Sequence, residues 1–283
     1  MIFWIASYPK SGNTWLRALL SAYYYSNDGF FNQFLLNNIG QFPEKKYFSV
    51  FDYNSRVVTD TAKFWIKAQE KINQDKSIKF FKTHNFLGKI NNNNFTNKEN
   101  SLGGVYIIRD PRNVITSLKN HFEFSTDQAL NFMVSENKFI FDRFKENDYS
   151  DFQFISSWEK NYKSWKNQKN FPVKIIKYED LCHKTYETFR EIIEFINKTI
   201  KSKDSFNIEK AKNAVETTSF NKMKNIENNE GFKESVLSKY NNSNKIPFFH
   251  LGPKNDWKNT YNINYQEKLN SIFNENLQEL NYI

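Results

Sequence analysis

The chain is short of the residues that staple or punctuate a backbone. Its single cysteine, Cys182, excludes an intrachain disulfide framework and fits a reducing compartment. No apolar run approaches the roughly 18 residues that a membrane span needs. The opening MIFWIASYPK lacks a basic region ahead of a long apolar one, so no signal peptide is expected and a cytoplasmic location is. There is no zinc-finger spacing, Arg-rich stripe or basic helix to make nucleic acid the expected partner, and no compact carboxylate or Cys/His cluster to call for a metal. Only 8 Gly and 6 Pro stand against 29 Phe, 15 Tyr and 6 Trp, which supply large side chains for a core and argue against disorder over the whole length.

What is present begins with charge. The 40 Lys and Arg exceed the 31 Asp and Glu by 9, which raises the local concentration of an anionic ligand, although lysines scattered among asparagines also read as a solvated surface. The 283 residues suffice for a substantial core. Residues 2–7, IFWIAS, suit a buried strand, and the apolar positions Trp15, Leu19, Ala22 and Tyr23 predict a helix over 14–25. Between them Pro9, Ser11, Gly12 and Asn13 favour a turn. Further strands are expected at 78–84, 104–108 and 172–178, and helices at 60–73, from Pro111 through Phe122, at 127–145, 153–168, 183–197, 207–216 and 264–281. Residues 27–58 read as a long excursion, Asn91–Asn94 as an exposed loop, and 224–247 as a lid or surface loop. The alternation predicts a single α/β domain over 1–283, with a central, mainly parallel sheet flanked by helices.

In such a sheet, ligands bind at the carboxyl ends of the strands. The loop Tyr8-Pro9-Lys10-Ser11-Gly12-Asn13-Thr14-Trp15 occupies that position. Backbone N–H groups of Gly12, Asn13 and Thr14 can converge on an anion at the positive end of the helix, while Lys10 adds a cation and Ser11 and Thr14 add hydroxyls. Thr14 has a plainer use as a helix cap. The pattern GxxxxGK(S/T) is absent, so the turn is P-loop-like only and an ordinary Mg-dependent NTPase is disfavoured.

YPKSGNTW resembles the YPKSGTTW-like loop of the sulfotransferases that use 3'-phosphoadenosine 5'-phosphosulfate, with Asn13 in place of the usual threonine. Other segments resemble that family in the same order: Lys82-Thr83-His84, then YIIRDPRNVITSLKNHF from Tyr106, then Thr218-Ser219-Phe220. The resemblance implies that Lys10 binds the 5'-phosphate and bridging oxygen, that His84 is the general base, and that Lys82 assists the sulfuryl oxygens or leaving group. It implies that Arg109 and Ser117 take the 3'-phosphate, and that Trp15, Tyr178, Thr218 and Phe220 surround the adenine.

The last family motif, Arg-Lys-Gly followed by Gly-Asp-Trp-Lys, is met only in part by His250-Leu251-Gly252-Pro253-Lys254-Asn255-Asp256-Trp257-Lys258. His250 and Leu251 stand where the basic pair is expected, which weakens attraction for the 3'-phosphate unless Lys254 or another cation turns inward; Gly252 permits close backbone approach. Lys258, Ile263 and Glu267 resemble a family dimer segment, with Asn262 in place of its threonine, which makes a homodimer an expectation. The resemblance implies transfer of a sulfuryl group to a hydroxyl-bearing small molecule, glycan or lipid, releasing adenosine 3',5'-bisphosphate without a metal. Residues 27–58, 123–150 and 224–258 are assigned to acceptor-site or lid loops. A noncatalytic nucleotide or sulfated-ligand binding module would keep the first turn and make His84 indifferent, and a kinase-like reading would need Thr14 and Asp110 to hold magnesium.

Overall fold

The computed structural model describes residues 1–141, 147–241 and 244–283. Strand β1 (Ile2–Ser7) is buried along its whole length and feeds, through the turn at 8–12, helix α1 (Asn13–Tyr25). The 27–58 excursion contributes a strand that its sequence does not announce, the two-residue β2 (Gly40–Gln41). Where one helix is expected over 60–73, a 3-10 turn at Asp60–Phe64 leads into α2 (Trp65–Ile72). Strand β3 (Lys79–Thr83) follows, and the asparagine run closes a small hairpin of β4 (Lys89–Ile90) and β5 (Asn93–Asn94). Strand β6 (Ser101–Ile108) runs into α3 (Pro111–Phe122), whose Pro111 sits in the first turn and whose Asp110 side chain accepts the Arg112 N–H at 2.9 Å.

A capping box between Ser125 and Gln128 opens α4 (Thr126–Val134). This helix stops well short of 145. The Phe139 ring lies 5.9 Å from that of Phe152 and 5.0 Å from that of Phe154, and these contacts hold the chain in an antiparallel ribbon, β7 (Phe139–Ile140) with β8 (Gln153–Phe154). Residues 142–145 of the expected helix lie outside the described residues. The same ribbon claims 153–154, so the next helix, α5 (Trp158–Asn167), begins only after its Ser157 cap. Its Trp158, Tyr162 and Trp165 share one fully buried face, as their spacing predicts. Strand β9 (Val173–Lys177) ends just before Tyr178, which opens α6 (Tyr178–His183) instead of closing the strand. Helices α7 (Thr185–Ile200), α8 (Ile208–Thr217) and α9 (Phe220–Glu230) come next, so 224–247 begins in helix and leaves it at Glu230. The remainder of that stretch carries the ribbon β10 (Val236–Leu237) and β11 (Lys245–Ile246), with 242–243 outside the described residues. A short α10 (Trp257–Thr260) and the terminal α11 (Ile263–Glu279) complete the order.

The main sheet is parallel throughout, in the order β2-β3-β1-β6-β9. Alternate residues of β1 serve opposite cores. Ile2, Trp4 and Ala6 pack with residues of α2, α3, α4, α5 and α11, while Phe3 and Ile5 pack with α1, α7, α8 and α9. Ala6 is in register with both Thr83 and Tyr106, so the carboxyl ends of β3, β1 and β6 open onto one edge. Lys82 and His84, the first turn, and Arg109 leave the sheet along that edge.

The turn after β1 depends on Gly12, at φ 101° in the left-handed region; a Cβ built there would lie 2.5 Å from Tyr178 Cδ2. Gly12→Ala is therefore expected to cost about 1–3 kcal/mol of stability, read as a lowered melting temperature. An unchanged melt would show that the turn accepts a side chain.

Candidate active site

At the carboxyl edge a cavity of about 460 Å³ is walled by the first turn, the ends of β3 and β6, α3, the α6 and α9 starts, and residues 248–255. Gly12, Asn13, Thr14 and Trp15 line it, together with Lys10, Lys82, His84, Arg109, Ser117, Tyr178, Thr218 and Phe220. His250 and Gly252 lie on the same wall. Ser11 and Lys254 do not: Ser11 is fully buried beneath the turn, and Lys254 is exposed to solvent.

The His84 ring is oriented by β1. Its Nδ1 lies 2.8 Å from the Ser7 carbonyl oxygen, which can only accept, so Nδ1 carries the proton and Nε2 is left as the basic nitrogen. The Ser7 hydroxyl is also 3.1 Å from Nδ1. Gln153 accepts the His84 backbone N–H at 2.7 Å and Asn161 donates to its carbonyl at 3.0 Å, fixing the backbone from two further elements. Desolvation, with help from the Lys82 charge, pushes the imidazole down to about 4, so it is neutral at physiological pH.

Lys10 occupies the left-handed region at φ 64°, with its ammonium 4.1 Å from the centre of the Phe248 ring. Desolvation in this half-buried position lowers its pKa from 10.5 to about 8; Glu234 opposes the shift and Arg109 adds to it. Lys82 is likewise pushed down, first by desolvation, and its ammonium lies 3.1 Å from Glu234. Asn13 turns its amide back toward β1, donating to the Ile5 carbonyl at 3.0 Å and the Ser7 hydroxyl at 3.2 Å. Asn13 thereby joins the first turn to the strand, and its side-chain amide is directed away from any ligand that the backbone amides would hold.

Arg109 is a buried guanidinium at 6% exposure without a salt bridge among the described residues. Asp110 does not supply one, because it is committed to Arg112 at 2.7 Å. Arg109 instead lies 4.2 Å over the Tyr178 ring and donates to the Lys10 carbonyl at 3.2 Å and to Ser117 Oγ at 3.3 Å, while its Nε has no partner. Ser11 Oγ and Trp15 Nε1 are also buried without partners. A buried cation short of acceptors, beside the unsatisfied N–H groups of a helix start, is suited to a ligand bearing several negative oxygens.

The aromatic wall joins Trp15 to Tyr178 edge to face at 5.9 Å, and sets Phe220 against Gly252, where a Cβ would meet the ring at 2.2 Å. The Thr218 hydroxyl is spent within its helix, on the Ala214 carbonyl at 2.7 Å. Asn255, where the family motif has glycine, is buried and accepts from Thr116 Oγ1 at 2.6 Å while donating to the Asn113 carbonyl at 2.8 Å. It pins the 250–255 segment to α3, as does Trp257, whose N–H donates to Asn113 Oδ1 at 2.9 Å and whose ring lies 4.2 Å from the Arg112 guanidinium.

Sequence reasoning missed Ser7, Gln153, Asn161 and Asn255. It also missed Glu234, which accepts from Thr14 Oγ1 at 2.5 Å and pairs with Arg17 at 2.5 Å. Nothing local marks Glu234 among the acidic residues of 224–247; only the fold carries it to the turn. Among the described residues no group of three His, Cys, Asp or Glu is placed to hold a metal ion, and no helix is long and apolar enough to cross a membrane.

Known proteins share this fold and much of the chain's length. Rat sulfotransferase 1A1 is 22% identical over 279 residues, covering 98% of this chain and 85% of the rat protein. Flavonol 3-sulfotransferase of Flaveria bidentis is 26% identical over 285 residues, covering 96% of this chain and 80% of its own. The crystal structure of mouse sulfotransferase SULT7A1 complexed with PAP superposes with a TM-score of 0.56 at 18% identity, covering 98% of this chain and 83% of the mouse one. The sulfotransferase domain model matches residues 2–281, and the chain therefore belongs to the sulfotransferase domain family.

Proposed function

We propose that the chain transfers a sulfuryl group from 3'-phosphoadenosine 5'-phosphosulfate to a hydroxyl oxygen, with His84 as general base and Lys10 stabilising the departing nucleotide. The observation that carries this reading is the His84 ring itself: neutral, with its tautomer set by the Ser7 carbonyl, on the wall of a cavity lined by cations. The family match over 2–281 and the PAP in the mouse structure support the nucleotide. So does the partnerless Arg109 Nε, which fits a polyanion.

The nucleotide supplies a sulfuryl group bonded to a phosphate oxygen as leaving group. His84 Nε2 takes the acceptor's proton as the new oxygen–sulfur bond forms and the bridging bond breaks. Lys10 donates to the bridging oxygen as it gains charge, an interaction that strengthens in the transition state. Lys82 donates to the sulfuryl oxygens. Arg109 and Ser117 hold the 3'-phosphate, and Trp15, Tyr178, Thr218 and Phe220 enclose the adenine. His250 and Gly252 close that end, with Lys254 reaching it only from the surface. The acceptor is a small molecule, glycan or lipid with a free hydroxyl, and a homodimer is the proposed assembly.

His84→Ala is expected to lower turnover by about 10²–10⁴-fold while leaving PAP affinity within a few-fold by calorimetry; Lys10→Ala is expected to impair both. Retained turnover in H84A would remove the proposed base. A purified-protein assay with phosphosulfate donor and a panel of sugars, lipids, phenols and small alcohols, read by product mass, tests the reaction itself. Binding of the nucleotide without transfer to any acceptor would favour a binding module.

The pH profile has a definite sign. The basic form of His84 exists above its pKa of about 4, and the charged form of Lys10 exists below about 8. The acid limb of kcat/KM is therefore expected well below the ordinary imidazole value of 6.5, and the basic limb near 8. An acid limb at 6.5 would contradict the desolvated, neutral imidazole.

A further inference from the structure

Glu234 is the only carboxylate among the described residues that line the cavity, and it sits among its cations. One oxygen, Oε1, takes Arg17 Nη1 at 2.5 Å and Lys82 Nζ at 3.1 Å; the other, Oε2, takes Thr14 Oγ1 at 2.5 Å. A single side chain thus ties the first helix to the end of β3. Arg17 extends the link, donating to the Leu36 and Ile39 carbonyls at 3.3 Å.

The segment that presents Glu234 is braced without those contacts. Phe232 is 2% exposed, with its ring 5.1 Å from Phe248 and 5.0 Å from Phe249. Gly231 turns the chain at φ 75° and donates to the Glu227 carbonyl at 2.9 Å. The Glu227 carboxylate accepts from Ser235 Oγ at 2.6 Å and from the backbone N–H groups of Phe248 and Phe249 at 2.7 and 2.9 Å. Glu234 is therefore held from behind, and its carboxylate is delivered at a set place.

We propose that Glu234 is a positioning residue that keeps the Lys82 ammonium charged and aimed at the reacting end of the cavity. This rests on the sulfuryl-transfer reading. An ammonium has three N–H donors, and Glu234 takes one, leaving two for sulfuryl oxygens beside His84. The titratable and charged groups facing Lys82 are Arg17 from α1, Lys10 from the first turn, Glu44 from the segment after β2, the neutral His84 on its own strand end, and Glu234. Two of these are cations that disfavour a further charge, desolvation acts the same way, and Glu234 is the one directly bonded anion. Without it the Lys82 pKa falls further and the ammonium loses its direction. Glu234 acts on the reaction through Lys82 and does not itself touch the substrate.

The test begins with nucleotide-free protein carrying [13Cε]lysine, in which Lys82 is assigned by the signal missing from K82R and titrated by NMR. In E234Q the Lys82 midpoint is expected to fall below that of the wild type, kcat to fall about tenfold, and PAP affinity to stay within about threefold. E234D, which keeps the charge, is expected to restore the midpoint and serves should E234Q fold poorly. In a K82R background, where the cation does not titrate, adding E234Q is expected to move kcat by less than about twofold. An unshifted Lys82 midpoint in E234Q, with the wild type turning over, overturns this inference alone. Tighter donor binding by E234Q with unchanged kcat also overturns it, because Glu234 would then compete with the donor's anionic end. No turnover by the wild type with any acceptor overturns the sulfuryl-transfer reading instead, whatever the titration shows.

Discussion

The parallel register of β3, β1 and β6 is the constraint on which the candidate site rests. With Ala6 opposite Thr83 on one side and Tyr106 on the other, the residues that follow each strand emerge at one height. His84 can then reach the Ser7 carbonyl at 2.8 Å, and the Arg109 guanidinium can reach the Lys10 carbonyl at 3.2 Å. Both are side chain to backbone contacts across neighbouring strand ends, and a slip of one residue would break both while turning the strands' apolar faces around. Because alternate residues of β1 are buried in two separate cores, such a slip would be costly on both faces.

Electrostatics around the cavity are arranged as an excess of cations that is only partly met. Arg112 is neutralised by Asp110 outside the first turn, whereas Arg109 lies against the flat face of Tyr178. Glu234 offsets Arg17 and Lys82 at the other end. Desolvation lowers Lys10 and Lys82 and keeps His84 neutral. A dehydrated cation interacts more strongly with an incoming anion than a solvated one does, so the burial that weakens each charge in isolation strengthens its grip on a ligand.

The departure at 250–255 has a structural counterpart. Where a basic pair is missing, the segment is anchored by neutral hydrogen bonds from Asn255 to α3 and by the packing of Phe220 on Gly252. His250 is exposed at the cavity's margin, and its pKa is lowered by desolvation and by the Lys224 charge. Closure of this wall is thus supplied by shape and neutral contacts, while the buried charge on that side is concentrated in Arg109.

The sequence by itself determined the strand-turn-helix order, the place of the first turn at the head of α1, and the parallel α/β architecture, because these follow from local periodicity, Gly12 and short motifs. It misjudged elements whose form depends on distant partners: β2 exists only because β3 offers an edge, and the ribbon at Phe139–Ile140 only because Phe152 and Phe154 pack against it. The tautomer of His84, the inward turn of Asn13, the withdrawal of Lys254 to solvent and the arrival of Glu234 at Lys82 were decided by tertiary structure alone. The reason is physical. Glu234 lies 152 residues from Lys82 along the chain, and no local preference encodes a hydrogen bond whose two ends meet only when the cores on both sides of the sheet have formed.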